Sequence, residues 1–214
     1  MTAPGATSLP RSELWLVRHA RPLVDDGVCY GATDLAADAH ATAACAQQLA
    51  RVLPSATPVW TSPMRRCTAL ADALRLLRPE LGYRCDQRLT EMDFGCWEGV
   101  RWQDIPKAAI DEWTARFDRW RFGGRESVQE LMDRVGAAWR ESCGIPGPQL
   151  WITHAGVARA ALLYSKGTQA ITRSEDWPLA GPAFGECWRL SQGQSSLAPL
   201  YVMASPHLRD SAIS

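Results

Sequence analysis

Three short apolar runs most constrain what this chain can become: residues 13–17 (ELWLV), 58–61 (PVWT) and 149–153 (QLWIT). Each is too short for an ordinary helix and is bounded by polar or turn-forming residues, so each reads as a buried strand. Helical patterns fill the space between them. Alanine-rich residues 41–53 stop at Pro54. Ser62-Pro63 sets an N-cap residue before a proline at the first helical position, and Leu70, Leu74 and Leu77 carry that helix to about Arg78. Residues 108–121, 127–142 and 157–165 also read as helices, the second opening on a capping box from Ser127 to Glu130. Shorter strands are expected at 82–86, 186–190 and 200–203, while turn residues at Pro22, Asp25-Asp26-Gly27 and Gly31 make 20–40 a loop. Strands alternating with helices predict a three-layer α/β/α sandwich around a central, mostly parallel sheet. In such sheets, sites gather beyond the carboxyl ends of the strands. The expected layout is a tail over 1–12, one domain over 13–205 and a C-terminal tail over 206–214.

Charge and composition exclude several classes. The 214 residues carry 23 basic and 23 acidic side chains, so nothing argues for wholesale binding to nucleic acid. No stretch approaches the roughly 20 apolar residues of a membrane span. The seven cysteines form no C-x-x-C pair, which sets aside zinc knuckles and thioredoxin-like motifs. The N-terminus, MTAPGATSLP, has no basic start followed by an apolar run. A cytoplasmic location with reduced thiols is the expectation. Lys107 and Lys166 are the only lysines, so isolated arginines carry little weight as functional signals.

Two of the four histidines fall just past predicted strand ends, His19 in Leu16-Val17-Arg18-His19-Ala20 and His154 in Thr153-His154-Ala155-Gly156. If both strands lie centrally, both imidazoles enter one crevice. Arg18 precedes the first, and Arg66 lies early in the helix after the second strand, where an anion would meet the helix N-terminus. Two arginines, two histidines and free backbone N–H groups suit a phosphoryl group. Glu91, Asp93 and Glu98 cluster beside a turn, and composition does not choose among them.

Together these segments resemble the histidine phosphatase, or phosphoglycerate-mutase-like, superfamily. Arg18-His19-Ala20 resembles its R-H-G signature. The second arginine motif, the segment from Leu89 through Glu91 to Gly99, and the late histidine-small-Gly segment follow in the family's order over residues 14–159. Asp93–Gly99, Trp102–Pro106 and Gly124–Val128 are most similar to the α-ribazole phosphatase branch. The resemblance implies His19 as nucleophile, Arg18, Arg66 and His154 as phosphoryl ligands, and Glu91 as proton donor. Tyr30, Gly31 and Ala155 would face the substrate, a small phosphorylated molecule, with no cofactor and no metal. Family spacing selects Arg66 over Arg65.

These roles are chemically coherent. An imidazole attacks phosphorus only through an unprotonated nitrogen, and nearby arginines disfavour imidazolium. Phosphoryl transfer asks chiefly for alignment and for charge around three oxygens. An alkoxide leaves poorly, so a protonated group must sit beside it. The chain departs from the family at Ala20, where glycine is usual and a methyl group would crowd the phosphate, at Arg21-Pro22, and at Arg125. A mutase needs the same five residues, but 99–124 leaves little chain for an elaborate cap and favours hydrolysis. A third reading is an inactive relative that binds phospho-ligands or a partner; retention of all five positions weighs against it. Cys45 to Arg51 has the C-x5-R spacing of thiol phosphatases but lies inside a predicted helix. Trp97, Trp102, Trp113 and Trp120 fall where relatives cover the site, either as an apolar wall or as ordinary packing.

Overall fold

The structure, a computed structural model, describes residues 12–191 and 194–200, those from 191 onward by backbone alone. Six strands form one sheet: β1 (Glu13–Arg18), β2 (Val59–Thr61), β3 (Tyr83–Cys85), β4 (Pro148–Thr153), β5 (Cys187–Ser191) and β6 (Gln194–Leu200). Their order is β3-β2-β4-β1-β5-β6. The first four run parallel, whereas β5 and β6 are antiparallel additions beside β1. Strand β6 meets the expected 200–203 at Leu200; residues 201–203, residues 1–11 of the expected tail over 1–12, and the expected tail over 206–214 lie outside the described residues.

Side-chain alternation along β1 explains the layers. Trp15 and Val17 face α1 (Ala39–Val52) and α2 (Arg65–Leu77), packing with Cys45, Leu49, Leu70, Leu74, Leu150 and Ile152. Leu14 and Leu16 face α4 (Val128–Cys143) and α5 (Ala155–Ser165). Here Trp60 and Trp151, paired across β2 and β4, stack with centroids 5.7 Å apart. The capping box at Ser127 and Glu130 opens α4 as expected. Helices α1 and α5 begin two residues before the expected 41 and 157, and two further boundaries differ. Helix α3 (Lys107–Ala115) is shorter than 108–121, and α2 starts at Arg65 with Met64, not Ser62, as its cap. The Ser62 hydroxyl accepts from the Met64 N–H at 3.4 Å and also meets a buried imidazole, described below. The segment from 86 to 126 is mostly turns and single 3-10 turns, draped over the sheet end and the α4 face.

Candidate active site

Sheet register brings the two histidines together. Strands β1 and β4 pair in parallel with Arg18 opposite Thr153, so the next residues, His19 and His154, emerge side by side. The His19 N–H donates to the Thr153 carbonyl at 3.0 Å, and the two rings meet edge to face with centroids 5.1 Å apart. Both are buried. His19 Nδ1 lies 2.7 Å from the Ala20 carbonyl, which can only accept. Nδ1 therefore carries the proton, and Nε2 keeps a lone pair. Burial pushes the His19 pKa down to about 3; the bond to Ala20 opposes this, and Arg66 and Arg18 add to it. Ala20 replaces a glycine without backbone strain, because Ala56 is the only non-glycine residue with positive φ among those described.

His154 is held from both sides. Arg66 Nε donates to its Nδ1 at 3.3 Å, which places its own proton on Nε2, 2.8 Å from the Ser62 hydroxyl. The buried Cys67 thiol is 3.5 Å from the same Nε2. Burial, then the nearby His19 and arginines, hold the His154 pKa well below the ordinary histidine range. Arg66, fully buried at the start of α2, also donates to the carbonyls of Gly31 (2.6 Å) and Thr33 (2.7 Å). These three bonds occupy three of its five N–H donors. The Tyr30 ring lies 5.5 Å from the Arg66 guanidinium, and burial raises its phenol pKa. Gly31 cannot be larger, since a Cβ there would sit 1.8 Å from the Met92 carbonyl oxygen.

Glu98 explains why the 31–33 loop stays in place. Its carboxylate accepts from the N–H groups of Gly31 (3.0 Å), Ala32 (2.9 Å), Thr33 (3.0 Å) and Phe94 (3.0 Å), and from the Thr33 hydroxyl. Burial alone would raise its pKa, but these bonds win and lower it.

Glu91 is fixed differently. Its Oε2 accepts from the Gly156 N–H at 3.0 Å, in the first turn of α5, and its Oε1 accepts from the Met92 N–H at 3.1 Å. A carboxylate suits that helix end. A Cβ on Gly156 would stand 2.3 Å from Oε1, so only glycine lets Glu91 approach. Ala155, between His154 and Gly156, is itself buried. Arg134 holds the chain around Glu91 by donating to the carbonyls of Arg88 (2.9 Å), Thr90 (2.6 Å) and Glu91 (3.1 Å) while pairing with Glu126 at 2.7 Å. Glu126 in turn accepts from the Asp93 N–H at 3.0 Å. Arg18 donates to the Pro182 carbonyl at 3.1 Å, and its guanidinium lies 3.7 Å over the Phe184 ring, which also packs against His19 at 5.6 Å. Thus His19, Arg18, Arg66, His154, Glu91, Tyr30 and Gly31 converge from five separate stretches of chain.

A family model described as the histidine phosphatase superfamily (branch 1) matches residues 14–180. The chain belongs to this superfamily. Superfamily membership makes it an enzyme of the phosphatase or mutase type. No curated protein matches it by sequence. Among solved structures it is similar to TTHB049 from Thermus thermophilus, with TM-score 0.66 and 26 % identity over 87 % of this chain and 98 % of that one. It shares its fold with a mycobacterial glucosyl-3-phosphoglycerate phosphatase, with TM-score 0.67 and 23 % identity over 84 % of this chain and 90 % of that one. A protein described as mycobacterial hydrolase 2 has TM-score 0.66 and 22 % identity, over 84 % of this chain and 82 % of that one.

For a member of the histidine phosphatase superfamily, sequence reasoning missed several residues that build the candidate site. Glu98 stood unresolved among three acids, although its place before Gly99 in the turn was visible. Arg134 was discounted with the other arginines; three carbonyl partners from 88–91 are a tertiary fact that no local pattern carries. Phe184 lies in a loop with no periodicity. Cys45 and Arg51, the thiol-phosphatase spacing, lie inside α1, and burial pushes the Cys45 thiol up to about 12. Among the described residues, no group of three or more His, Cys, Asp or Glu is placed to hold a metal, and no helix is long and apolar enough to cross a membrane.

Proposed function

We propose that the protein hydrolyses phosphomonoesters through a phosphohistidine at His19. One observation supports this above the others: His19 Nδ1 is spent on the Ala20 carbonyl, so a neutral, buried imidazole offers Nε2 as its nucleophilic lone pair. In this reading Nε2 attacks phosphorus as the P–O ester bond breaks. Glu91 gives its proton to the leaving oxygen, then takes one from the water that attacks phosphorus; the P–Nε2 bond breaks, its electron pair returns to His19, and phosphate departs. Arg18 and Arg66 face the phosphoryl oxygens with donors their internal bonds leave over. His154 serves through Nε2–H, exchanging Ser62 for a phosphoryl oxygen. Two guanidiniums and one imidazole donor supply the charge, so turnover in EDTA is expected. Tyr30 and Gly31 frame Arg66 on the substrate side, and Ala155 keeps the turn after His154 small. The 93–99, 102–106 and 124–128 segments favour α-ribazole phosphate as the substrate.

The test is phosphate release in EDTA from α-ribazole phosphate, 3-phosphoglycerate, sugar and nucleoside phosphates and an aryl phosphate. His19→Ala should lose at least ~10³-fold in kcat, and wild type quenched in turnover should carry acid-labile, base-stable phosphate on His19. Release that survives in His19→Ala would overturn the proposal. Phosphoryl exchange between phosphoglycerates without net release would favour a mutase.

A further inference from the structure

Among the described residues, ion pairs hold Arg134, Arg121, Arg84 and Arg88 but neither Arg18 nor Arg66. The two guanidiniums that face the site are held by neutral groups instead. Arg66 has the carbonyls of Gly31 and Thr33 and the His154 ring. Arg18 has the Pro182 carbonyl, 3.1 Å from Nη1, and the Phe184 ring, whose centroid lies 3.7 Å from the guanidinium carbon. It also donates to the Tyr30 hydroxyl, a phenol kept neutral by its raised pKa. The Arg18 Nε is buried without a partner. A carboxylate beside either guanidinium would cancel the charge that phosphoryl oxygens need. A carbonyl or the face of an aromatic ring attracts a cation and leaves its net charge intact. The turn before β5 puts the ring in place. Gly185 has φ +76°, and its N–H is shared between the carbonyls of Arg18 (3.0 Å) and His19 (3.2 Å). The Arg18 N–H donates to the Glu186 carbonyl at 3.1 Å. Glu186 closes the turn: its carboxylate accepts from the Ala183 N–H at 2.6 Å, and its own N–H donates to the Ala183 carbonyl at 2.9 Å. Phe184 is thus clamped to the backbone of the two residues its ring touches, Arg18 and His19.

On the phosphatase reading, which gives Arg18 the phosphoryl oxygens and on which this inference rests, we propose that Phe184 is a positioning residue whose ring face stands in for a counter-ion, fixing the Arg18 guanidinium beside His19 while its full charge stays available to the phosphoryl group. Phe184 acts through Arg18 and touches no reacting atom. What it supplies is electrostatic, the negative face of a quadrupole, and not merely apolar bulk. That property separates this role from ordinary packing, because the ring's charge distribution can be changed while its shape is kept.

The experiment measures orthovanadate affinity by calorimetry, together with kcat and KM for an aryl phosphate in EDTA. Pentafluorophenylalanine at position 184 keeps a flat apolar ring but inverts its quadrupole. Vanadate affinity and kcat/KM should each fall about tenfold, the scale of a desolvated cation–π contact. Difluorophenylalanine should give an intermediate loss, and it makes the same test if the perfluorinated chain does not fold. Phe184→Leu, which keeps apolar bulk without a π face, should match the perfluorinated ring, and Phe184→Tyr, which keeps the face, should stay within about threefold of wild type. In an Arg18→Met background the same changes at 184 should alter vanadate affinity less than about twofold, because their effect runs through that cation. Fluorination that leaves vanadate affinity unchanged, or weakens it equally with and without Arg18, would overturn the assignment of Phe184 and leave the phosphatase reading standing. A loss of vanadate affinity that depends on Arg18, in a wild-type protein that releases phosphate from no ester, would sustain the assignment and overturn the hydrolytic reading.

Discussion

The site has two halves, built by different means. His19, Ser62 and His154 follow directly from β1, β2 and β4, so their backbone is placed by the sheet ladder itself. Glu91 and Glu98 lie in the 86–126 segment, which has no ladder and only one α-helix. That half is tied by charged side chains reaching backbone groups: Arg134 to three carbonyls, Glu98 to four N–H groups, Glu126 to one. Unpaired backbone groups are costly wherever water is excluded, and a segment without strand partners must satisfy them otherwise. A charged side chain can do so, because each bond to it is stronger than a neutral one. The draped half is therefore the part in which one substitution frees several backbone groups at once.

The sharpest way to break this contrast is Arg134→Met. It leaves Glu126 unpaired and orphans three carbonyls, so a loss of about 3–5 kcal/mol is expected in urea unfolding, with a fall in kcat as Glu91 loosens. Next comes Leu70→Ala, behind the strand-end half on the α2 side, where the side chain is fully buried. It should cost about 2–5 kcal/mol yet leave KM and kcat near wild type at temperatures where the fold holds. If Leu70→Ala disturbed kinetics while Arg134→Met did not, the division into halves would be wrong. Smaller still is Glu98→Gln. An amide keeps one acceptor oxygen, so the 31–33 loop slackens and Arg66 with it. Vanadate inhibition should weaken about tenfold, equivalent to ~1.4 kcal/mol, while Glu98→Asp should retain part of the affinity.

The mildest test separates the halves by pH. His19 and His154 have lowered pKa values in the fold, so the unfolded chain binds their protons first. Their contribution is intact above pH 6.5 and is lost as pH falls toward about 3 for His19, at about 1 kcal/mol per histidine over the first unit. Glu98 is also lowered, but as an acid it contributes above 4.5 and loses that contribution only below it. Stability measured from pH 7 to 4 should thus decline first through the strand-end half, and His19→Asn should flatten the upper part of the curve.

The same division governs how much was legible in the chain itself. ELWLV and QLWIT announced their strands, and the histidines after them needed only parallel pairing to become neighbours. Ser62 is the exception: its place before Pro63 is an ideal cap, yet its hydroxyl is shared between the Met64 N–H and a buried imidazole, and α2 begins at Arg65, two residues after Pro63. Glu91 emerged only through family resemblance, because nothing local separates it from Asp93 and Glu98. What distinguishes the three is the partner each meets, namely Gly156, Gly95 and the 31–33 loop, and two of those partners are distant in sequence.

The pairing of β1 with β4 also sets when the site can exist. His19 is among the first folded residues to leave the ribosome, yet the strand that aligns it and the imidazole beside it are encoded after residue 147. At 5–20 residues per second, the growing chain waits on the order of ten seconds for them. Throughout that interval β1, apolar on both faces, has no parallel partner. Nascent chains truncated before His154 should engage chaperones through β1, and activity should appear only after β4 has emerged from the exit tunnel.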